Sequence, residues 1–267
     1  MVLAPKRPAR QPRPSLVRMP KPGHMRRMNR RALLALAALA PTGALAQALS
    51  PAQREEVLSI LREALRTDPS ILRDALSGLE QAEMRDREAA QRRAIAGNAE
   101  ALFRDPTLPV KGNPQGSVTI AEFFDARCGY CKQLHPVMEQ LLASDRDVKV
   151  VMIDLPILGP NSVLASRALL AAQRQERYAP LQDALLRLRE EPTEPVIRRE
   201  ADRLRLDWPR LRRDMDDPAI GRRIERNVAL ARALEIQGTP ALVIGESLIP
   251  GAVDLPTLQS LVSRARG

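Results

Sequence analysis

Cysteine is scarce in this chain. Its 267 residues hold two, Cys128 and Cys131, with two residues between them. A disulfide closing so short a loop constrains the unfolded chain little, so a purely structural crosslink explains the pair poorly. Structural zinc needs four ligands, and the one histidine outside residues 1–46 is His135, so a closed zinc site lacks partners. Cu(I) on two thiolates stays chemically open, although no methionine pair lies beside the cysteines. Acid is missing from residues 1–46, which carry ten Lys and Arg. Removing those ten from the 42 basic residues leaves 32 against 32 Asp and Glu, so the formal charge of +10 belongs to the leading segment. It therefore argues for no nucleic-acid partner. Long apolar runs are missing too. The longest in the leader, Ala32–Ala40, falls short of the roughly 20 residues that span a bilayer. No internal repeat is evident, and nothing after residue 47 has the composition of disorder.

What is present in residues 1–46 has the parts of a cleaved export signal. A basic segment closes with Arg30-Arg31, the apolar run follows, and Ala44-Leu45-Ala46 is a small-X-small cleavage site. The expected mature start is Gln47, with the working initiator at Met25 or Met28. Arg30-Arg31 suits both the general and the twin-arginine routes. Export into an oxidising compartment, the periplasm, agrees with a lone redox pair.

Residues 47–105 are expected to form a helical, self-associating segment. Ser50-Pro51 opens a helix whose Val57, Leu58, Ile60, Leu61 and Leu65 share a side. Asp68-Pro69 opens a second, read as one helix from about 70 to 104. It carries Ile71, Leu72, Ala75, Leu76 and Leu79, then a charged middle that acts as a stalk. Two leucine stripes make no core by themselves, so they are expected to pack on each other and on a second copy.

Residues 106–267 alternate strand and helix. A short edge strand is expected at Leu108–Val110, then Val118–Phe124, a helix from Gly129 to about Ala143, and Val148–Ile153. Helical pattern fills 161–236, with starts at Asn161, Thr193, Asp207 and Asp217-Pro218. Strand returns at Ala241–Ile244 and Leu248-Ile249, and a last helix runs from Leu255 to about Arg264. The cysteines sit where strand gives way to helix. Unpaired N–H groups and partial positive charge there stabilise a thiolate at Cys128, and Cys131 lies one turn on, able to resolve a mixed disulfide. Glu122 shares strand parity with Val118 and Ile120, so it is expected to be buried and reluctant to ionise.

Phe123-Phe124-Asp125 followed by Cys128-Gly129-Tyr130-Cys131-Lys132, a helical insert and Gly238-Thr239-Pro240-Ala241 resembles the DsbA-like branch of the thioredoxin superfamily. The resemblance covers about residues 107–267. It implies an α/β thioredoxin fold with an inserted helical domain, here preceded by the helical segment. It implies a cis Thr239-Pro240 bond facing the cysteines, with the Thr239 backbone pairing to an extended substrate. It also implies Glu122 as proton acceptor or relay for Cys131, with Gly129 and Tyr130 as supporting residues and Tyr130 tuning the pair. Asp68-Pro69-Ser70-Ile71-Leu72 and the preceding helix resemble the copper-sensitivity suppressor C type, some members of which oligomerise through this segment. The implied function is exchange of thiols and disulfides in protein substrates without a bound cofactor, as an oligomeric isomerase or reductase. A membrane partner of the DsbD type would recharge it. The alternatives are a monomeric oxidase with a DsbB-type partner and a Cu(I)-binding protein using the same thiols. His135 is read as a hydrogen-bonded helix residue.

Overall fold

Ser50 and Pro51 start a helix as their chemistry requires. In the computed structural model, which describes residues 49–267, the backbone N–H of Gln53 donates to Ser50 Oγ at 3.3 Å. The N–H of Ser50 donates back to Gln53 Oε1 at 2.9 Å, completing a capping box ahead of α1 (Pro51–Thr67). The expected export signal lies outside the described residues. Residues up to Pro69 form one unit and Ser70–Gly267 another. Helix α1 buries none of its residues, and Val57, Leu58, Ile60, Leu61 and Leu65 are all exposed.

The second unit begins with α2 (Ser70–Gly97). Its earlier turns expose Ile71, Leu72, Leu76, Leu79 and Met84, and its last turns bury Ile95. The single helix expected to 104 is interrupted. After Gly97 the Asn98 side chain donates to Ala94 O at 2.8 Å, and the chain widens into a π turn over Glu100–Arg104. Glycine and a side chain that bonds its own backbone weaken a helix there. The π turn buries Leu102 completely, and with Ile95 it joins the core that covers one sheet face. The expected division between residues 105 and 106 therefore does not separate two cores.

Among the described residues five strands form one sheet in the order β1-β3-β2-β4-β5: β1 (Val110–Gly112), β2 (Val118–Phe124), β3 (Val148–Asp154), β4 (Ala241–Ile244) and β5 (Ser247–Pro250). β2 and β3 are parallel, pairing Val118 with Val148 through Phe124 with Asp154. β4 runs antiparallel on β2, and β1 antiparallel on β3. The edge strand begins two residues later than expected, because Pro109 has no N–H and contributes only its carbonyl, to Met152 N at 2.9 Å. Alternation along β2 sends Ile120 and Phe124 to the face covered by α3 (Gly129–Ser144) and α9 (Leu255–Arg266). Ala121 and Phe123 face the core shared with Ile95 and Leu102.

The insert holds α4 (Pro160–Gln173), α5 (Tyr178–Arg187), α6 (Glu194–Arg203), α7 (Trp208–Met215) and α8 (Pro218–Ala233). Asp207 and Asp217 cap as their sequence signals require, accepting from Arg210 N and Ala219 N. Asn161 does not cap. Gly159, at φ 104°, is the cap residue of α4, with Pro160 in the first turn. The start of α5 at Tyr178 carries no side-chain cap and left no mark in the sequence.

Gly112 closes β1 at φ +74°, and a Cβ there would stand 2.6 Å from both Leu142 Cδ2 and Val148 O. Gly112→Ala should cost at least about 2 kcal/mol in chemical denaturation, since φ strain and a backbone clash act together. A loss under half a kcal/mol would show that β1 shifts freely.

Candidate active site

Phe124 ends β2, and Asp125-Ala126-Arg127 turn the chain so that Cys128 becomes the cap residue of α3. The turn is closed by Cys128 N–H donating to Asp125 O at 3.0 Å, and the first helical bond by Lys132 N–H donating to Cys128 O at 3.0 Å. Both cysteines are free thiols. Cys128 is 7% exposed and Cys131 fully buried.

Their environments drive the two thiols apart. The Cys131 thiol, the Thr239 hydroxyl and the backbone N–H groups of Cys131 and Tyr130 all favour charge on Cys128. Together they outweigh its partial burial and bring it down to about 5. Cys131 is pushed up, first by burial and then by its bond to Cys128, with the Glu122 charge adding to the shift. The Asp125 N–H donates to Cys131 Sγ at 3.5 Å but only partly offsets this. In its protonated form Cys128 donates to Thr239 O at 3.1 Å. Thr239-Pro240 is cis, as the resemblance implied, and leads directly into β4.

Glu122 is 3% exposed on the α3 face of β2, where parity put it. Burial raises its carboxyl to about 7, against the pull of Lys111 and with a push from Glu139. Lys111 itself pairs with Glu139 and donates to Gln182 Oε1 at 3.1 Å. Tyr130 stands 63% exposed in the first turn of α3. Gly129 is also exposed there, and a Cβ would meet nothing within 4 Å, so packing does not require glycine. The fold thus gathers Cys128, Cys131, Thr239 and Pro240, sets Glu122 beneath them and leaves Tyr130 outward.

His135 is not part of that group. Its Nε2 lies 2.7 Å from Asp183 Oδ1, tying α3 to α5, and burial keeps it below the usual imidazole range. Among the described residues no set of three or more His, Cys, Asp and Glu is arranged to hold a metal ion.

Residues 119–263 match the DSBA-like thioredoxin domain. The chain belongs to the DsbA-like family. Its matches include a thioredoxin-like oxidoreductase from Silicibacter pomeroyi, 40% identical, covering 62% of this chain and 96% of that one, with a TM-score of 0.61. A linker-deletion form of Proteus mirabilis ScsC is 29% identical, covering 82% and 97%, with the same TM-score. The thiol-disulfide exchange protein α-DsbA2 of Wolbachia pipientis is 31% identical, covering 67% and 97%, at 0.63. Curated relatives include a Na(+)/H(+) antiporter of Salinispora tropica, 29% identical over 186 residues, covering 66% of this chain and 28% of that protein. The chain spans under a third of the length of such relatives.

Sequence reasoning missed two carboxylates of this DsbA-like domain. Asp125, 1% exposed, holds the turn before Cys128, and a polar residue set between Phe124 and the first cysteine was the available signal. Asp154 ends β3 fully buried, accepting from Tyr178 OH at 2.8 Å, and burial raises it to about 7. Its partners come from α4 and α5, so no local pattern announced it.

Proposed function

We propose that this protein exchanges thiols and disulfides in other proteins, as an exported, oligomeric isomerase or reductase. The carrying observation is the split between Cys128, held near 5, and Cys131, held high, at the start of α3. One group is a ready nucleophile and leaving group, and the other keeps its proton until a mixed disulfide forms.

In the reductive direction the Cys128 thiolate attacks one sulfur of a substrate disulfide. The substrate S–S bond breaks, and the departing sulfur leaves as a thiolate that takes up a proton. Cys131 then gives its proton to Glu122 and attacks Cys128 Sγ, releasing the second substrate thiol. Two electrons pass to the substrate, and the Cys128–Cys131 disulfide remains. In isomerisation another thiolate of the substrate attacks the mixed disulfide first, returning the Cys128 thiolate with no net electron transfer. The Thr239 backbone, ahead of cis Pro240, is the natural pairing edge for the extended substrate.

The isomerase reading rests on the exposed leucine stripes of α1 and α2. Apolar side chains in such number are unfavourable in water and mark an interaction surface. Copies associating there would surround their active sites and restrict access by a membrane oxidase, leaving a reductant of the DsbD type as partner. The leading segment supports the periplasm as the site of action. One observation favours the monomeric oxidase instead: a Cys128 thiolate this stable makes the disulfide strongly oxidising.

The two separate in one experiment. Reduced protein starting at Gln47 is given ribonuclease with scrambled disulfides, beside a variant carrying Ile60→Glu, Leu61→Glu and Leu72→Glu. Substitution is preferred to truncation at Pro106, which would strip Ile95 and Leu102 from the core. The parent should sediment as an oligomer and restore ribonuclease activity. The variant should sediment as a monomer with at least about fivefold slower reactivation, a loss of local active-site concentration. A parent that sediments as a monomer and only oxidises reduced ribonuclease moves the oxidase reading to first place.

A further inference from the structure

A second carboxyl lies buried on the same sheet face as Glu122, and no step of the exchange uses it. The parallel register sets Glu122 against Met152 and Phe124 against Asp154. Phe124 and Met152 belong to one core cluster, so alternation turns Glu122 and Asp154 to that same face. The two acids stand one strand across and two residues along from each other, about 8 Å between Cα atoms by strand geometry.

Asp154 is completely buried at the end of β3. Tyr178, the first residue of α5, donates its hydroxyl to Asp154 Oδ2 at 2.8 Å. Ser166 of α4 and Arg223 of α8 face the same carboxyl, and Asn227 Nδ2 of α8 donates to the Asp154 backbone oxygen at 2.9 Å. Arg223 is shared, its guanidinium also pairing with Asp105 Oδ2 at 3.5 Å and donating to the Thr107 hydroxyl. Burial therefore prevails and raises the Asp154 carboxyl to about 7, where Glu122 also titrates. Burial, then charge on Asp154 and on Glu122, keep the Tyr178 hydroxyl protonated, so it stays a donor within the field of both acids. Glu122 in turn is faced by Lys111 of β1 and by Glu139 and Cys131 of α3.

We propose that Asp154, with its charge held by Tyr178, is a positioning residue for proton transfer and governs how readily Glu122 takes the proton of Cys131. Two like charges at this spacing in a buried site disfavour each other. An ionised Asp154 keeps a proton on Glu122 to higher pH and makes Glu122, once ionised, the stronger base. The two acids titrate as a pair. In the resolving step Cys131 Sγ bonds to Cys128 Sγ, the substrate sulfur leaves as a thiolate, and the Cys131 proton goes to Glu122. Asp154 acts on that transfer through Glu122. The inference rests on the reading of Glu122 as proton acceptor in disulfide exchange and adds the group that tunes it.

For the test, reduced protein starting at Gln47 is mixed with excess oxidised glutathione. Decay of the Cys128–glutathione disulfide is followed by rapid acid quench from about pH 5 to 9. In the parent the decay rate should rise with pH and level off near 7. D154N should lower that midpoint by about one pH unit, the coupling expected for two charges about 8 Å apart in a buried site. Y178F removes one hydroxyl and leaves the ring. It should lower the midpoint by a similar amount, because Asp154 then keeps its proton across this range. The double variant should shift no further than D154N, and the Cys128 titration midpoint should stay near 5 throughout. A merely structural role would lower stability and leave the decay midpoint in place. An unmoved or raised midpoint in Y178F overturns the proposal, whether or not D154N folds. A double variant whose shift is the sum of the two single shifts overturns it as well. If E122Q decays with the parent's pH profile, Glu122 is not the acceptor and this inference falls with it. A parent that forms no mixed disulfide removes the exchange reading itself.

Discussion

Cys128→Ser abolishes disulfide exchange, lowering single-turnover reduction of a small disulfide by about a thousandfold or more. In the parent the same rate rises about tenfold per pH unit up to about 5 and is flat from roughly 6 to 8, because the thiolate is already formed. An unperturbed thiol would still be gaining rate through pH 8. Ultraviolet absorbance of the thiolate checks this directly, and a midpoint near 8 would remove the basis of the mechanism. The same depression has a thermodynamic consequence. A thiol whose folded pKa lies below its unfolded value contributes stability that is lost as pH falls towards the folded pKa. At pH 7, two units above the midpoint, the reduced protein gains about 3 kcal/mol from Cys128, and near pH 5 almost none. The disulfide form has no such term, so as pH rises from 5 to 8 the pair should become more oxidising relative to a couple of unperturbed thiols such as glutathione.

Glu122→Gln stabilises the protein above pH 7 and slows it. The carboxyl is raised from 4.5 to about 7 by burial, so the folded state holds a proton that the unfolded state releases. Stability therefore declines as pH rises from about 4.5 to 7, and the full penalty persists above that. Glutamine carries no such penalty and should gain up to about 3 kcal/mol at pH 8 and nothing near pH 4. Asp154 titrates in the same range and remains in the variant, so the difference between the two pH profiles isolates Glu122. Without a proton acceptor, the Cys131 attack on a preformed mixed disulfide should slow by about a hundredfold at pH 7. A rapid-quench measurement of mixed-disulfide decay reads that step. Unchanged decay together with a flat stability difference would make Glu122 a buried bystander.

Much of the redox domain was legible because its signals are short-range. Val118–Phe124 and Val148–Asp154 are mostly apolar runs of the length a doubly covered parallel pair needs, and they pair in register. The helix after Cys128 has a start, a period and an end in its own residues. Where the chain lacked local punctuation, the reading drifted. Gly159 rather than Asn161 sets the start of α4, and Tyr178 begins α5 with no cap at all. Helix α2 looked like a stalk because its middle is charged, yet its last turns and the following π turn complete a core whose other half lies more than a hundred residues on, at Ala231 and Leu234.

The same distinction divides the site. Cys-Gly-Tyr-Cys at a strand-to-helix junction, the parity of Glu122 and the late Thr239-Pro240 are properties of residue order, and they determined the family, the candidate thiols and the buried acid from the sequence alone. The sequence could not say which groups would meet those residues from elsewhere in the chain. Thr239 reaches Cys128 across 111 positions, and Ile157 and Leu158 reach Asp125 across 32 and 33. His135 is turned to Asp183, 48 positions away. Those contacts depend on how sheet and insert pack. The periodicity of one element records that it has a buried face, but not which distant side chain will stand against it.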